Sequence, residues 1–306
     1  MLLSASTAFT AGSCVLNPSW TPASALDTPW VRELVVRLGP WLEAQLPALE
    51  GWPVQTRTAG GPSAPGRAQI PGTPTNSGVR EGGVQAGSFS GCLDLFPGGR
   101  PPELLHARPG LRALCFDAFA ILYSAETKTA VYVVERLQRA GLRSAQSIAR
   151  TDRFYPEARL PGAAQAQLED YRHSGYARGH LAPAGDMPTD SAMDQSFSLA
   201  NVVPQDPTHN GGAWSQIERD TRQYVMRARG PVYVFTGPAY QDGRPARIGE
   251  SGVAVPSHLF KLVHDPATGR AWAHWQQNAA AAQPMKPIAY PALVQKVGID
   301  FLHSGD

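Results

Sequence analysis

From residue 113 onward the apolar positions fall into short, dense runs. Ala113 to Tyr123 and Ala130 to Arg136 are rich in strand-forming residues, and the polar link Ser124 to Thr129 between them predicts a hairpin. Val232 to Thr236 follows Gly230 with the continuous apolar character of a buried strand. Val253 to Val263 and Ala271 to Trp275 predict a second hairpin around Asp265-Pro266-Ala267-Thr268-Gly269. Arg139 to Ala149, Ala163 to Tyr171 and Asn210 to Arg229 carry helical content, the last ending before Gly230 as a C-terminal cap. Strands and helices mix without a regular βαβ alternation. This predicts an α+β domain with a central, mainly antiparallel sheet flanked by helices. Far upstream, Val31, Leu34, Val35, Leu38, Trp41 and Leu42 recur at three and four and mark one amphipathic helix over 29–49.

Composition divides the 306 residues further. Residues 51–110 hold 22 Gly or Pro out of 60, nearly twice the average of this chain and about three times the usual frequency, with few aliphatics and no sustained period. The chain therefore reads as an N-terminal segment with one helix (1–50), a Gly/Pro-rich linker of disordered character (51–91) and an ordered domain (92–306) of ordinary single-domain size. No stretch approaches the ~20 consecutive apolar residues of a membrane-spanning helix. The net charge of +2 does not by itself call for a polyanionic partner, although 23 of the 27 basic residues are Arg, the side chain best suited to bidentate phosphate contacts. Three cysteines make no disulfide framework and no C-x-x-C is present. Cys92 and Cys115 can pair in an oxidising compartment, with Cys14 left alone near the start. The opening MLLSASTAFTAGSC lacks the basic n-region of a secretory signal, and its Ala-Gly-Ser-Cys run resembles a lipoprotein cleavage site only loosely.

Residue types that carry chemistry crowd between Tyr171 and Arg222. The centre is Ser174-Gly175-Tyr176-Ala177-Arg178-Gly179-His180-Leu181-Ala182-Pro183, followed thirty residues after His180 by Asn210. Asn210, Trp214, Glu218 and Arg222 recur every four residues, so a regular helix puts an amide, a carboxylate and a guanidinium on one slowly drifting stripe. That set suits phosphodiester hydrolysis. An amide oxygen with waters is a hard, weakly held site of the kind Mg²⁺ prefers. A neutral His can deprotonate water, Arg supplies charge where the phosphate accumulates it, and a carboxylate can orient a metal-bound water.

At these residues the chain resembles the DNA/RNA non-specific endonucleases of the ββα-metal (His-Me finger) class, the family of secreted bacterial nucleases and mitochondrial endonuclease G. The resemblance spans about Cys92 to Leu302. It rests on Ser-Gly-Tyr-x-Arg-Gly-His with its Leu-Ala-Pro, and on Asn201-Val202-Val203-Pro204-Gln205 followed by Asn210, Gly212, Trp214 and Glu218. It implies a ββα-metal finger with His180 as general base, Asn210 as the direct protein ligand of Mg²⁺ (Mn²⁺ substituting), and Glu218 as partner of the ion's water shell. Arg178 and Arg222 would stabilise the scissile phosphate, Arg150 would bind phosphate, and Asn201 would hold the finger together. DNA and RNA would be gripped by the backbone and cut to 5′-phosphates. A protein inhibitor, a homodimer and a secreted or periplasmic location also follow from the resemblance.

One position departs from the family pattern, which usually opens Asp-Arg-Gly-His where this chain has Ala177. Two rivals follow: a relative that binds nucleic acid without cutting it, and a phosphodiesterase acting on a small diester. Each residue also has a plainer use. Asn210 can simply cap its helix, Glu218 and Arg222 can be a surface i, i+4 pair, and Trp214 is expected in the core. Asp186 reads as structural, the remaining histidines as solvated or hydrogen-bonded, and Lys261 as a strand residue facing solvent or nucleic acid.

Overall fold

The structure, a computed structural model, describes residues 88–241, 243–283 and 285–303. The helix expected over 29–49, residues 51–87 of the expected linker and the opening stretch with Cys14 lie outside the described residues. Thirteen strands are described: β1 (Glu103–Leu104), β2 (Leu111–Cys115), β3 (Phe119–Ser124), β4 (Thr129–Leu137), β5 (Ala177–His180), β6 (Val202–Gln205), β7 (Val232–Ala239), β8 (Arg247–Ile248), β9 (Val253–Ala254), β10 (His258–Asp265), β11 (Arg270–Gln277), β12 (Ile288–Ala289) and β13 (Ile299–Asp300). The α-helices among them are α1 (Arg139–Ala145), α2 (Leu168–Tyr171), α3 (Asp190–Ser196), the single turn α4 (Pro207–His209), α5 (Ser215–Arg227) and α6 (Tyr290–Val297).

Seven strands form one sheet in the order β12-β11-β10-β7-β4-β3-β2, and every pairing in it is antiparallel. The expected α+β class with a mainly antiparallel sheet is the one observed. Its central strands are covered on both faces, so they read as continuous apolar runs rather than alternating ones. On one face Ile121, Val133 and Leu259 pack against Leu181, Val203, Trp214 and Ile217 of the segment that carries the candidate chemistry. On the other, Leu122, Val134, Phe235 and Phe260 meet Phe96, Phe301 and Leu293. Phe89, inside the stretch read as linker, is buried there against Phe96 and Tyr132. The Cys92–Cys115 disulfide, with Cα atoms 5.8 Å apart, ties this N-terminal edge to β2.

Several expected elements are shorter or divided. The run 113–123 breaks at Phe116–Ala118 into β2 and β3, where the Asp117 N–H leaves the ladder and donates to Gln195. The second hairpin forms from β10 and β11 alone, because Pro256 has no N–H for a ladder; Val253 pairs instead with Ile248. Ala163 to Tyr171 yields a 3₁₀ turn and the four-residue α2, started by a Gln167/Asp170 capping box. Gly230 does not cap α5. That helix ends at Arg227, where the extended Ala228 donates its N–H to the Tyr224 and Val225 carbonyls.

Candidate functional site

Strands β5 and β6 form an antiparallel pair in which His180 faces Val202 and Arg178 faces Pro204. The pair fits together because position 179 is Gly: a Cβ there would stand 2.0 Å from Gln205 Oε1, whose side chain is fully buried. Beyond β5, the fully buried Asn201 pins the chain. Its Oδ1 accepts from the Ala182 N–H, and its Nδ2 donates to the carbonyls of Ala182 and Ser196, all at 2.9 Å. The Asn201 carbonyl also accepts from the Leu181 N–H at 2.9 Å. The backbone that follows His180, and the turn that carries Phe197, are thus both fixed by Asn201.

The His180 ring forms a three-ring cluster with Phe154, 5.2 Å away, and Phe197, 4.9 Å away, the two phenyl rings being 4.9 Å from each other. Those phenylalanines meet because the Phe197 carbonyl accepts from the Tyr155 N–H and the Tyr155 carbonyl from the Leu199 N–H. Each ring also carries an arginine: Arg178 lies 4.3 Å over Phe154 and Arg150 lies 5.0 Å over Phe197. Arg150 is further steadied by Asp152, at 2.6 Å. Nε2 of His180 is buried with no hydrogen-bond partner among the described residues. Burial first, then the positive charges of Arg150 and Arg178, push its pKa down to about 3, so the imidazole is neutral at physiological pH. A neutral ring with arginines at its flanks is the state a proton acceptor beside a phosphate needs.

After β6, Asp206 and not Asn210 caps the next helix, its Oδ1 accepting from the Thr208 and His209 N–H groups. The chain then makes a π-helical turn, Asn210–Trp214, before α5. Such wide turns are rare and concentrate at functional positions. Asn210 sits at its start, half-buried, with no side-chain hydrogen bond among the described residues. Trp214 is fully buried, as expected of a core residue. Glu218 is half-buried, and burial lifts its pKa to about 7, with Lys261 opposing the rise more than any other group. Arg222 pairs with Asp186 at 2.9 Å rather than with Glu218 and so anchors α5 to the loop that follows His180.

Beneath α5 lies a layer of buried charge. Lys261 is 1% exposed; its Nζ donates to Thr236 Oγ1 at 2.7 Å and stands 5.5 Å over the Trp214 ring. Glu135, also buried, has neither carboxylate oxygen hydrogen-bonded among the described residues, and burial, reinforced by Asp186, raises its pKa well above the usual carboxylate range. Lys261 therefore faces neither solvent nor a substrate groove, contrary to the sequence reading.

Residues 107–303 match the family model for DNA/RNA non-specific endonucleases. The chain belongs to the DNA/RNA non-specific endonuclease family. Bovine mitochondrial endonuclease G is 32% identical over 258 residues, covering 80% of this chain and 75% of that one. Human mitochondrial nuclease EXOG is 35% identical over half of this chain and 44% of its own length. A chain of the solved EndoG/EndoGI complex superposes with a TM-score of 0.54 at 24% identity, covering 62% of this chain and 84% of that one, and so shares the fold. These endonuclease G and EXOG relatives are named as mitochondrial proteins, which departs from the secreted or periplasmic location that the sequence resemblance suggested. No described helix is long and apolar enough to cross a membrane.

Within this endonuclease domain the expected residues fall into two groups. His180, Arg178 and Arg150 gather around Phe154 and Phe197, while Asn210, Glu218 and Arg222 follow one another along the π turn and α5. Sequence reasoning gave no role to Phe154 and Phe197, the two rings against His180, because nothing in the local pattern sets them apart. Asp186, read as structural, is the partner that fixes Arg222, and Lys261, read as facing solvent or nucleic acid, is buried. For a divalent ion, an unpartnered carboxamide and a carboxyl drawn toward neutrality offer few protein donors. That suits a hard ion that keeps most of its water better than one needing a closed cage. Among the described residues no group of three or more His, Cys, Asp or Glu supplies such a cage.

Proposed function

We propose that this chain is a Mg²⁺-dependent endonuclease that hydrolyses DNA and RNA alike and leaves 5′-phosphates. The observation that carries the reading is the neutral His180 packed against two arginine-bearing rings, on the strand paired with β6, after which the unpartnered Asn210 opens the π turn. Asn210 would be the direct ligand of the metal and Glu218 would hold its waters; bound there, the ion would stabilise charge on the leaving oxygen. His180, neutral at physiological pH, takes the proton of the attacking water. Arg178 and Arg150 hold the phosphate, and Arg222, fixed by Asp186, lends charge from the helix. Every one of these contacts is to phosphate or water, and none reads a base, which supports indifference to sequence and sugar.

Ala177 faces Gln205 at the outer end of β5, three residues from the base, and the placement of His180 rests on Phe154, Phe197 and the Asn201 bonds instead. That favours a working site over a decayed, binding-only one. The disulfide supports residence in an oxidising compartment, such as a periplasm or the exterior, where it persists. A protein inhibitor and a homodimer remain part of this reading as expectations of the family. The deciding experiment digests supercoiled plasmid and total RNA with Mg²⁺ or EDTA, beside His180→Ala. Metal-dependent cutting of both, reduced at least ~10²-fold in the variant, is expected of a lost general base. Absence of cutting with Mg²⁺ or Mn²⁺, alongside low-salt DNA binding, would replace it with the binding-only reading. Preference for a chromogenic diester over plasmid would instead favour a small-diester enzyme.

A further inference from the structure

A cavity of about 920 Å³ is bounded by none of the residues discussed above as the candidate site. Its floor is apolar, with Val131, Phe260, Pro238 and Ile299, and its rim carries Arg108, Arg244, Arg247 and Lys296. Among the described residues that line it, one carboxylate, Glu126, stands against those four cations. All four cations are exposed, and among the described residues none pairs with an acid: Arg108 donates to the Val297 carbonyl, Arg247 to those of Glu126 and Gly252, and Lys296 rests over the Trp275 ring. In a chain whose whole formal charge is +2, four cations that pair with no acid among the described residues make the opening locally positive, a surface an anionic ligand complements.

The cavity has a continuation toward the catalytic strand. A second cavity of about 310 Å³ shares Tyr240, Arg244 and Pro245 with the first and is also bordered by Tyr176 and His258. Tyr176 immediately precedes β5 and stands four residues before His180. Trp275 links the two openings, with His258 stacked at 5.0 Å and Lys296 at 4.8 Å from its ring. A course running from β5 past Tyr176 into a cation-rimmed, apolar-floored hollow suits a ligand with anionic charges at regular intervals and flat apolar rings between them.

We propose that these two joined cavities hold the single-stranded stretch of substrate that flanks the bond cut at β5. The assignment rests on the nuclease reading for its direction, from scissile bond outward, and adds to it a preference for long substrates. The variant Arg244→Glu/Lys296→Glu changes two exposed side chains and leaves the packed floor untouched. With a single-stranded substrate of about 30 nucleotides its KM is expected to rise ~10-fold, and the salt slope of binding to become shallower by ~1.4, or 0.7 per lost phosphate contact. With a substrate of about four nucleotides, too short to leave the catalytic strand, KM and kcat are expected to match wild type. An equal rise for both lengths, or none for either, overturns the proposal. Anisotropy of the labelled 30-mer in EDTA separates the two readings. If wild type cuts neither substrate but charge reversal weakens binding ~10-fold, the nuclease reading fails and the strand site stands. Unchanged binding of the 30-mer overturns the strand site whatever the activity.

Discussion

Asn201→Ala is the sharpest test of how the site is held. Asn201 is 0% exposed, and its carboxamide satisfies three backbone groups, the Ala182 N–H and the Ala182 and Ser196 carbonyls, each at 2.9 Å. Ala182 and Ser196 are themselves fully buried, so water cannot replace the missing partner without opening the loop. Three lost bonds at ~1 kcal/mol net give ~3 kcal/mol, and orphaned buried groups, at 1–3 kcal/mol each, push the loss toward ~5 kcal/mol. Against a total stability of ~5–15 kcal/mol that is a fifth of the total or more. Urea denaturation followed by tryptophan fluorescence measures the loss, and an unchanged m value shows that the same surface is exposed on unfolding. Asn201→Asp is the companion: it keeps an acceptor for the Ala182 N–H but sets a second oxygen against two carbonyls, so it is expected to be no better than Ala. A loss under ~1 kcal/mol for Asn201→Ala would show that the carboxamide does not hold the loop, and the account of His180 placement would fall with it.

Reducing the Cys92–Cys115 bond, which closes a loop with a sequence separation of 23, is expected to cost ~3 kcal/mol; a Tm unchanged by reductant would contradict this. A double-mutant cycle on Asp186→Ala and Arg222→Ala should give a coupling of at least ~1 kcal/mol, since Asp186 is 5% exposed and its partner about a quarter exposed; additive losses would mean the anchor contributes nothing. For pH, burial lowers the pKa of His180 in the fold from 6.5 to about 3. Above pH 6.5 both folded and unfolded chains leave it neutral; below, only the unfolded chain takes the proton, so its contribution is lost as pH falls from 6.5 toward 3. His274, lowered to about 4, acts in the same direction, and Glu218, raised to about 7, acts oppositely, adding stability below pH 7 that is lost as pH rises through it. The drop in urea midpoint between pH 7.5 and 5.5 should therefore be smaller in His180→Asn than in wild type, and equal drops would refute the buried, neutral assignment.

The strands of the central sheet were legible because burial on two faces leaves an unbroken apolar run, as in β4 and β7. The Phe116–Ala118 break was not: it is the tight turn of the β2/β3 hairpin, closed by the Phe116 N–H donating to the Phe119 carbonyl, and Phe116 disguises it by continuing the apolar run. The site was half legible. His180, Asn210 and Glu218 announce themselves by spacing, whereas the rings about His180 come from Phe154 and Phe197, brought together by two backbone bonds that no local pattern encodes. Lys261 shows the same limit from the other side. A lysine in a strand reads as solvated, and only the helix laid over it makes it one of the most buried side chains in the domain.

The contact between Gly179 and Gln205 has a consequence for how this family member can change. Because a Cβ at 179 would overlap the Gln205 side chain, the two positions are one unit of heredity rather than two. A library that varies residue 179 alone brings a Cβ against Gln205, and one that shortens residue 205 alone removes the packing beside β5 and the contact with His209. Gly179→Ala becomes admissible only together with a shorter residue at 205, such as Gln205→Gly. The route from this strand to any neighbouring sequence therefore runs through paired steps, with an unfit intermediate between them.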